Sequence, residues 1–443
     1  MPTVTSKAMH KDISRSLVQR SFNVVTGITA TFAVPFFLSA DQQGYYYTFA
    51  SVLAIQVFFE LGLSQVLLYK FSSFAPAGPD VAAPIGSLLT TKLLYASRRI
   101  YILISLLFFL AASATGYAFF SQSSHILVGW RPQWFLLVFV TSINLLQSVK
   151  LVFLESQGNV ADVATLRLKI NLFSTSLLLV VLACGGGLWA VSVVPSVNAI
   201  ASTWWIYRSP KSLAYRKNRN LDIVFTLKDI GQIWRQEIFP LQWRMSLSWL
   251  SGYFIFQLIT PITFSRFGPV VAGQLGFAIS AMNSILFVAT TFTTAIAPRL
   301  SSLFHSGKIH EFNTLFDRSL KRSIAAIVIL SQLFVLMVYL LSVFEIGIAS
   351  RFLAWQSLLL YSFSVVVSAV VYCWAIYLRS QAIEPLVLQS MATAIFMVPL
   401  IWAFSSISLG AMLAAMLFVS LGSSIAVWRI YFKNRMQLGG YCA

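Results

Sequence analysis

Residues Tyr45–Phe74, YYYTFASVLAIQVFFELGLSQVLLYKFSSF, form an apolar run long enough to cross a bilayer, with a carboxylate, Glu60, close to its middle. A charge at the centre of a membrane-spanning helix costs about 2.5–3.5 kcal/mol on insertion scales, so such a group usually faces a partner or a watery cavity. Gln56, Glu60 and Ser64 follow one another at i, i+4 and i+8. This spacing predicts one polar face on a continuous helix over Tyr45–Lys70. Two roles for Glu60 stay open: a structural ion pair in the N-terminal half, or cavity lining with a part in gating or cation coupling.

The composition is that of an all-α polytopic membrane protein. Apolar residues make up 58% of the 443 residues and charged residues only 10%, whereas about a quarter of the residues in soluble domains are charged. Apolar runs predict twelve spans: Leu17–Ser39, Tyr45–Lys70, Ile100–Phe120, Gln133–Glu155, Ile170–Ala183, Leu188–Tyr207, Ile238–Pro261, Val270–Ala297, Ile324–Phe344, Phe352–Leu378, Pro385–Phe404 and Leu409–Tyr431. The fifth reaches bilayer length, about 20 residues, only if it begins near Ala164.

The basic residues predict the orientation of these spans. With the N-terminus inside, nearly all of the 31 Lys and Arg residues fall on the inner side, and the outer segments hold only Arg131, Arg266 and Arg351. The positive-inside rule then places both termini in the cytoplasm. The net charge of +18 therefore reflects topology, and no nucleic-acid partner is expected.

The chain divides into two halves of six spans. The segment 208–235 is the most basic and predicts a cytoplasmic linker between an N-terminal bundle, 1–207, and a C-terminal bundle, 236–443. The second span of the first half ends in KFSSF (70–74) and that of the second half in RLSSLF (299–304). This echo predicts two parallel repeats that could expose one central cavity alternately to each side of the membrane.

Three stretches of the chain resemble a known family. They are ELGLSQVLL (60–68) with KFSSF (70–74), FPLQWRMSLSWLSGYF (239–254) and GQLGFAISAMNSI (273–285). Here, and in length and number of spans, the chain resembles the Wzx-type O-antigen and polysaccharide-unit flippases of the multidrug/oligosaccharidyl-lipid/polysaccharide exporter superfamily. The resemblance implies a MATE-like, pseudo-twofold pair of six-helix bundles, a lipid-linked oligosaccharide as substrate, and the inner membrane of a bacterium.

The sequence lacks the motifs of several kinds of functional site. There is no GxxxxGK[ST] phosphate loop, and the four histidines show no metal-ligand spacing. The predicted outer loops are too short to hold a catalytic domain. These observations disfavour direct use of ATP, a metal site, and a membrane glycosyltransferase or polymerase, and they predict no catalytic residue.

Polar faces on apolar helices are the remaining candidates for a binding site. The seventh span presents residues at steps of 4, 3, 4 and 4 that share one helical face: Gln242, Ser246, Trp249, Tyr253 and Gln257. Amides, hydroxyls and amphipathic aromatic rings suit sugars. Ser280 and Ser284 on the eighth span could line the same cavity or hold helices together by close packing.

Further candidates lie on the first and fourth spans and at the inner interface. Asn23 and Asn144 are placed on the polar faces of spans one and four. For Lys150 and Arg244 two interpretations stay open, since each could bind a lipid pyrophosphate at an inner vestibule or extend to the membrane interface.

Together with these polar faces, the resemblance to Wzx-type flippases implies a flippase that moves polyprenyl-pyrophosphate-linked oligosaccharide to the outer leaflet by alternating access, for the assembly of surface polysaccharide. Its expected partners are this substrate, membrane lipids and other polysaccharide-assembly membrane proteins. No cofactor is expected beyond a coupling cation, H⁺ or Na⁺. The alternatives are a drug cation antiporter of the same superfamily and, less favoured, a membrane glycosyltransferase.

Overall fold

The computed structural model describes residue 22 and residues 26–73, 84–122, 129–208, 231–232, 234–381, 383 and 385–440. In these ranges every regular element is helical. The main helices are α1 (Thr26–Phe37), α2 (Ala40–Leu53), α3 (Gln56–Glu60), α4 (Leu63–Ser73), α5 (Pro84–Ser121), α6 (Arg131–Ser156), α7 (Val160–Ala183), α8 (Ala190–Arg208), α9 (Phe239–Phe256), α10 (Ile259–Thr294), α11 (Ala297–His305), α12 (Ile309–Val343), α13 (Trp355–Arg379), α14 (Val387–Phe404) and α15 (Leu409–Gly440).

The all-α membrane fold predicted from the sequence is confirmed. Eight helices or helix runs in the described ranges are long and apolar enough to cross a membrane, and the bent pair Ala40–Glu60 and Leu63–Ser73 makes a ninth. One of the eight runs, Met245–His305, contains parts of two predicted spans. Each of the twelve predicted spans coincides with at least one helix. The chain is therefore a multi-pass membrane protein. Helices suit the bilayer because their backbone N–H and C=O groups bond one another where no water is present.

The chain forms two compact units. The first consists of Met1–Leu38 and Val52–Leu250, and the second of Ser39–Ser51 and Ser251–Ala443. Helix α2, from the N-terminal half of the sequence, thus belongs largely to the second unit. The predicted division into 1–207, 208–235 and 236–443 stays a prediction, since most of the linker lies outside the described residues.

A capping box starts helix α2. The Ser39 backbone N–H donates to Gln42 Oε1, and the Gln42 N–H donates to Ser39 Oγ, both at 3.2 Å. This reciprocal arrangement satisfies two amide groups that have no partner within the helix. It explains why α2 begins five residues before the predicted start of the second span.

Glycines let α2 lie against α10 in the second unit. A Cβ atom on Gly44 would stand 2.0 Å from the Pro269 carbonyl oxygen, and one on Gly276 would stand 2.3 Å from Cβ of Tyr47. Gln43, which is buried, donates from Nε2 to the carbonyl oxygens of Gly273 at 3.0 Å and Arg351 at 3.2 Å. Only glycine permits so close an approach of two backbones.

The prediction of a continuous helix for the second span is wrong. The helix is interrupted at Ala54–Ile55 and again at Leu61–Gly62, where both residues have positive φ (47° and 70°). The second interruption bends the pair by 44°. Gly62 adopts this left-handed conformation without steric cost, whereas a left-handed Leu61 costs about 1–2 kcal/mol.

Other predicted boundaries also differ. The predicted loop 71–99 is helical from Pro84, which stands in the first turn of α5, where proline is favoured. The predicted connection between spans seven and eight, 262–269, is helical at first and breaks at its end, at Gly268 (φ 84°) just before Pro269. A further break, at 257–258 between α9 and α10, interrupts the predicted seventh span. Helices α7 and α12 begin at Val160 and Ile309, earlier than predicted.

Candidate functional site

A polar cavity of about 610 Å³ lies within the first unit. Residues of α3, α4, α6, α7 and α8 form its wall together with Leu53 at the end of α2, and Thr141, Asn144, Ser148 and Glu155 recur along one face of α6 at helical spacing. Six amide side chains line it: Gln56, Gln65, Asn144, Gln147, Asn171 and Asn198. So many amides among apolar helices form a surface suited to hydrogen bonding with a polar ligand.

Asn144 connects α6 with α8 at the cavity wall. Its Nδ2 donates to the Pro195 carbonyl oxygen at 3.0 Å. Because a carbonyl only accepts, this bond fixes the orientation of the amide. Pro195, inside α8, also lines the cavity, so the Asn144 side chain belongs to a rigid part of the wall.

A second connection between α6 and α8 holds Lys150. Gln147 donates from Nε2 to Thr203 Oγ1 at 2.7 Å and accepts a hydrogen bond from Lys150 Nζ at 2.9 Å. The Lys150 ammonium also lies 3.3 Å from the Tyr207 hydroxyl and 5.2 Å from the centre of its ring. Lys150 is not among the residues that line the cavity, and it stands next to Gln147, which is.

The two charged residues of the cavity wall pair with each other. Arg167 Nη2 lies 2.7 Å from Glu155 Oε1, with 43% and 14% of the respective side chains exposed. The sequence gives no sign of this pair, because it depends on the contact between α6 and α7. The pair leaves the wall with no net charge.

Glu60 stands at the break between α3 and α4, next to the cavity wall. Its carboxylate accepts hydrogen bonds from Ser64 Oγ and, at 3.0 Å, from the Tyr101 hydroxyl of α5. Gln56 and Ser64 line the cavity, whereas Glu60 is not among the lining residues. The break interrupts the uniform spacing assumed for these three residues. Tyr101 was missed, because no spacing in the sequence connects positions 60 and 101.

The predicted face of the seventh span does not line this cavity. In the first unit Gln242 is buried, Ser246 donates back to the Trp243 carbonyl oxygen at 2.8 Å, and Trp249 stands at contact distance from the position a Gly62 side chain would take. Tyr253, which is buried, and Gln257, which is half-buried, belong to the second unit. The side chain of Arg244 and all of Asn23 lie outside the described residues.

The hydroxyls of the eighth span bond mainly to their own helix. Ser284 donates to the Ser280 carbonyl oxygen at 3.0 Å, and Thr291 donates to that of Phe287 at 2.9 Å. Thr293 makes a buried contact between helices, 2.8 Å from Ser323 Oγ of α12. These contacts agree with the helix-packing interpretation of this span.

No family model matches the chain, and no curated protein matches it. Solved structures do match. With the lipid II flippase MurJ, in an inward closed conformation, the TM-score is 0.66 at 12% identity over 95% of this chain and 90% of that one. With an inward-facing multidrug resistance MATE family transporter of the MOP superfamily it is 0.57 at 12% identity over 98% and 100%.

The chain has the fold of MOP superfamily transporters. A MOP superfamily transporter from Pyrococcus furiosus also matches, with a TM-score of 0.54 at 11% identity over 98% of this chain and 96% of that chain. Because identities this low establish the fold alone, the substrate must be argued from this chain's own site. The finer assignment to Wzx-type exporters stays a prediction.

Proposed function

We propose that the protein is a flippase, not an enzyme, and that it moves polyprenyl-pyrophosphate-linked oligosaccharide from the cytoplasmic to the outer leaflet for surface polysaccharide assembly. The main support is the cavity of the first unit. Amides and hydroxyls make up about half of its described lining residues, the rest being mostly apolar, and its two charged residues, Glu155 and Arg167, pair with each other. Such a wall offers hydrogen bonds to the hydroxyl and amide groups of sugars in any orientation.

The same cavity disfavours the drug-antiporter alternative. An organic cation is held best by an unpaired carboxylate or by the face of an aromatic ring. Among the described lining residues, Glu155 is already paired with Arg167 and none is aromatic, while the Glu60 carboxylate beside the wall is occupied by the Ser64 and Tyr101 hydroxyls. A volume of about 610 Å³ is within the ordinary range for sites that enclose small ligands, so it could accommodate part of a sugar head group while the polyprenyl tail remains in lipid.

The phosphates would be met by basic groups beside the cavity. Arg167 is 43% exposed although paired, and a guanidinium can bind a carboxylate and a phosphate oxygen at once because it has five donors. Lys150 lies one turn after Gln147 on α6 and donates a hydrogen bond to its side chain, which lines the cavity. These two residues are the proposed phosphate contacts.

The orientation follows from the basic residues. We place the protein in a bacterial inner membrane with both termini in the cytoplasm, beside other polysaccharide-assembly proteins. Reporter fusions at Gly307 should read cytoplasmic, and fusions at Gly186 and Gly347 should read extracytoplasmic. A reversed reading at any of these positions would contradict the twelve-span orientation.

The function is tested with purified protein in vesicles that contain a fluorescent lipid-linked oligosaccharide. The protein should carry this lipid to the opposite leaflet, and a deletion strain should retain lipid-linked units on the cytoplasmic leaflet and lose surface polysaccharide. Leu107→Ala, at a position exposed on α5, serves as a control that leaves transport unchanged. Extrusion of organic cations without movement of the glycolipid would assign the protein to the antiporters instead.

A further inference from the structure

The break in the second span leaves carbonyl oxygens without helical partners beside an intramembrane carboxylate. Helix α3 ends at Glu60 and α4 begins only at Leu63. The Leu61 N–H still bonds the Val57 carbonyl oxygen at 2.8 Å, but the carbonyl oxygens of Phe59 and Glu60 accept no backbone hydrogen bond from the described part of the chain. In transporters, unwound backbone at the end of a half-helix is where coupling cations are coordinated.

Two hydroxyl oxygens from neighbouring turns and helices meet the carboxylate. Ser64 Oγ and Tyr101 Oη both bond Glu60 Oε1, and they lie 3.0 Å from each other. Ser148 of α6 also interacts with the Tyr101 hydroxyl. Ser64 and Ser148 line the cavity, so an ion could reach this oxygen cluster from the cavity.

The charge and ligand types define the kind of ion. Among the described residues, the partners of the Glu60 carboxylate are hydroxyls and none is a cation. All the candidate ligands are oxygens, which suit hard cations. One carboxylate neutralises one positive charge, whereas a divalent ion would leave an uncompensated charge within the membrane. The described ranges also hold no group of three His, Cys, Asp or Glu residues suited to a metal ion.

We propose that Glu60, Ser64, Tyr101 and the carbonyl oxygens at the Leu61 break form a sodium-binding site that opens on the cavity of the first unit. The left-handed backbone at Leu61 and Gly62 holds the two half-helices so that the carboxylate and Ser64 converge. Binding of Na⁺ here is independent of the substrate, but its role as the coupling ion rests on the proposed flippase function.

Sodium binding is tested on the purified full-length protein by its thermal unfolding temperature at constant ionic strength, in choline chloride with increasing NaCl or KCl. Because an ion that binds only the folded state stabilises it, NaCl should raise this temperature with a saturable dependence that KCl does not reproduce. Ser64→Ala and Tyr101→Phe should each raise the half-saturating Na⁺ concentration about tenfold. Glu60→Gln should abolish the shift.

Ser73→Ala is the matched control, because its hydroxyl lies at the exposed end of α4 and bonds the Lys70 carbonyl oxygen. It should keep the wild-type response. If Glu60→Gln does not fold, the serine and tyrosine variants still decide the question. A wild-type protein that shows no Na⁺-specific shift, or one that responds only to pH, would overturn the sodium site even if it flips glycolipid. A specific shift with Na⁺-independent flipping would keep the site and remove its coupling role.

Discussion

The two units use their polar side chains differently. In the first, the amides of Asn144 and Gln147 reach between helices and line a cavity. In the second, the amides of Gln332 and Gln389 also join helices but are not part of this cavity, and α2 and α10 approach through glycines. Halves with the same predicted number and orientation of spans thus differ in chemistry. On the proposed function, the first unit binds substrate through this cavity, whereas the glycine contacts of the second have a structural role.

The largest effect is expected at the crossing of α2 and α10. In Gly44→Ala the new Cβ would stand 2.0 Å from the Pro269 carbonyl oxygen, and neither backbone can move without shifting its helix. Such overpacking should lower the free energy of unfolding by about 3 kcal/mol. The measurements are the thermal unfolding temperature in detergent and the amount of protein in the membrane.

Gly252→Ala is the matched control for this prediction. Nothing lies within 4 Å of a Cβ at this position in α9, so the substitution should be neutral or stabilise the protein by about 0.4–1 kcal/mol. If the Gly44 and Gly252 variants had equal free energies of unfolding, the close approach of α2 and α10 would not be important for the stability of the second unit.

The next effect is expected at the ion pair between α12 and α15 in the second unit. Arg435 of α15 makes two hydrogen bonds to the carboxylate of Asp317 in α12, at 2.7 and 2.6 Å, which join the two helices. A third bond, at 2.5 Å, goes to the Tyr431 hydroxyl of its own helix. Because both charged side chains are about one-third exposed, Asp317→Asn should cost only about 1–2 kcal/mol of unfolding free energy. Glycolipid flipping by the protein that remains folded should be unchanged.

The corresponding pair in the first unit provides the contrast. Glu155→Gln leaves Arg167 without its carboxylate at the cavity wall, so the variant should change the affinity for the phosphorylated lipid and its salt dependence more than it changes stability. A variant with reduced stability and unchanged transport kinetics would show that this pair serves packing, as the pair in the second unit does.

A tenfold effect is expected at Asn144, on the cavity wall. Asn144→Leu keeps the side-chain volume roughly constant but removes the amide that lines the cavity and bonds the Pro195 carbonyl oxygen. Loss of such an interaction costs about 1.4 kcal/mol, which corresponds to tenfold slower flipping. The rate is measured in vesicles together with the unfolding temperature. Normal flipping by this variant would contradict the assignment of substrate binding to the cavity.

Hydropathy and charge were sufficient to predict the membrane fold, because each span can be recognised within its own 20 or so residues. The site could be predicted only where one helix carried the signal. Gln56, Ser64 and Asn144 were found from helical spacing, but Gln147, Asn198 and Tyr101 depend on which helices are neighbours. The left-handed Leu61 was equally hidden, since Gly62 alone could have been tolerated within a continuous helix.

The smallest effect is expected at Ser284, in the eighth span. In the predicted repeat this span corresponds to the second, and its serines were candidates for cavity lining. Ser284 donates to the Ser280 carbonyl oxygen of its own helix, so Ser284→Ala removes a hydroxyl whose bond lies within one turn, and the carbonyl keeps its backbone partner. Ser64→Ala, in the second span, removes a hydroxyl that contacts Glu60 and lines the cavity.

Flipping by Ser284→Ala should therefore stay within about twofold of the wild type, less than 0.5 kcal/mol, while Ser64→Ala slows it clearly. If both variants slow flipping to a similar extent, the eighth span also lines the substrate path. The contrast between the units would then not apply to substrate transport.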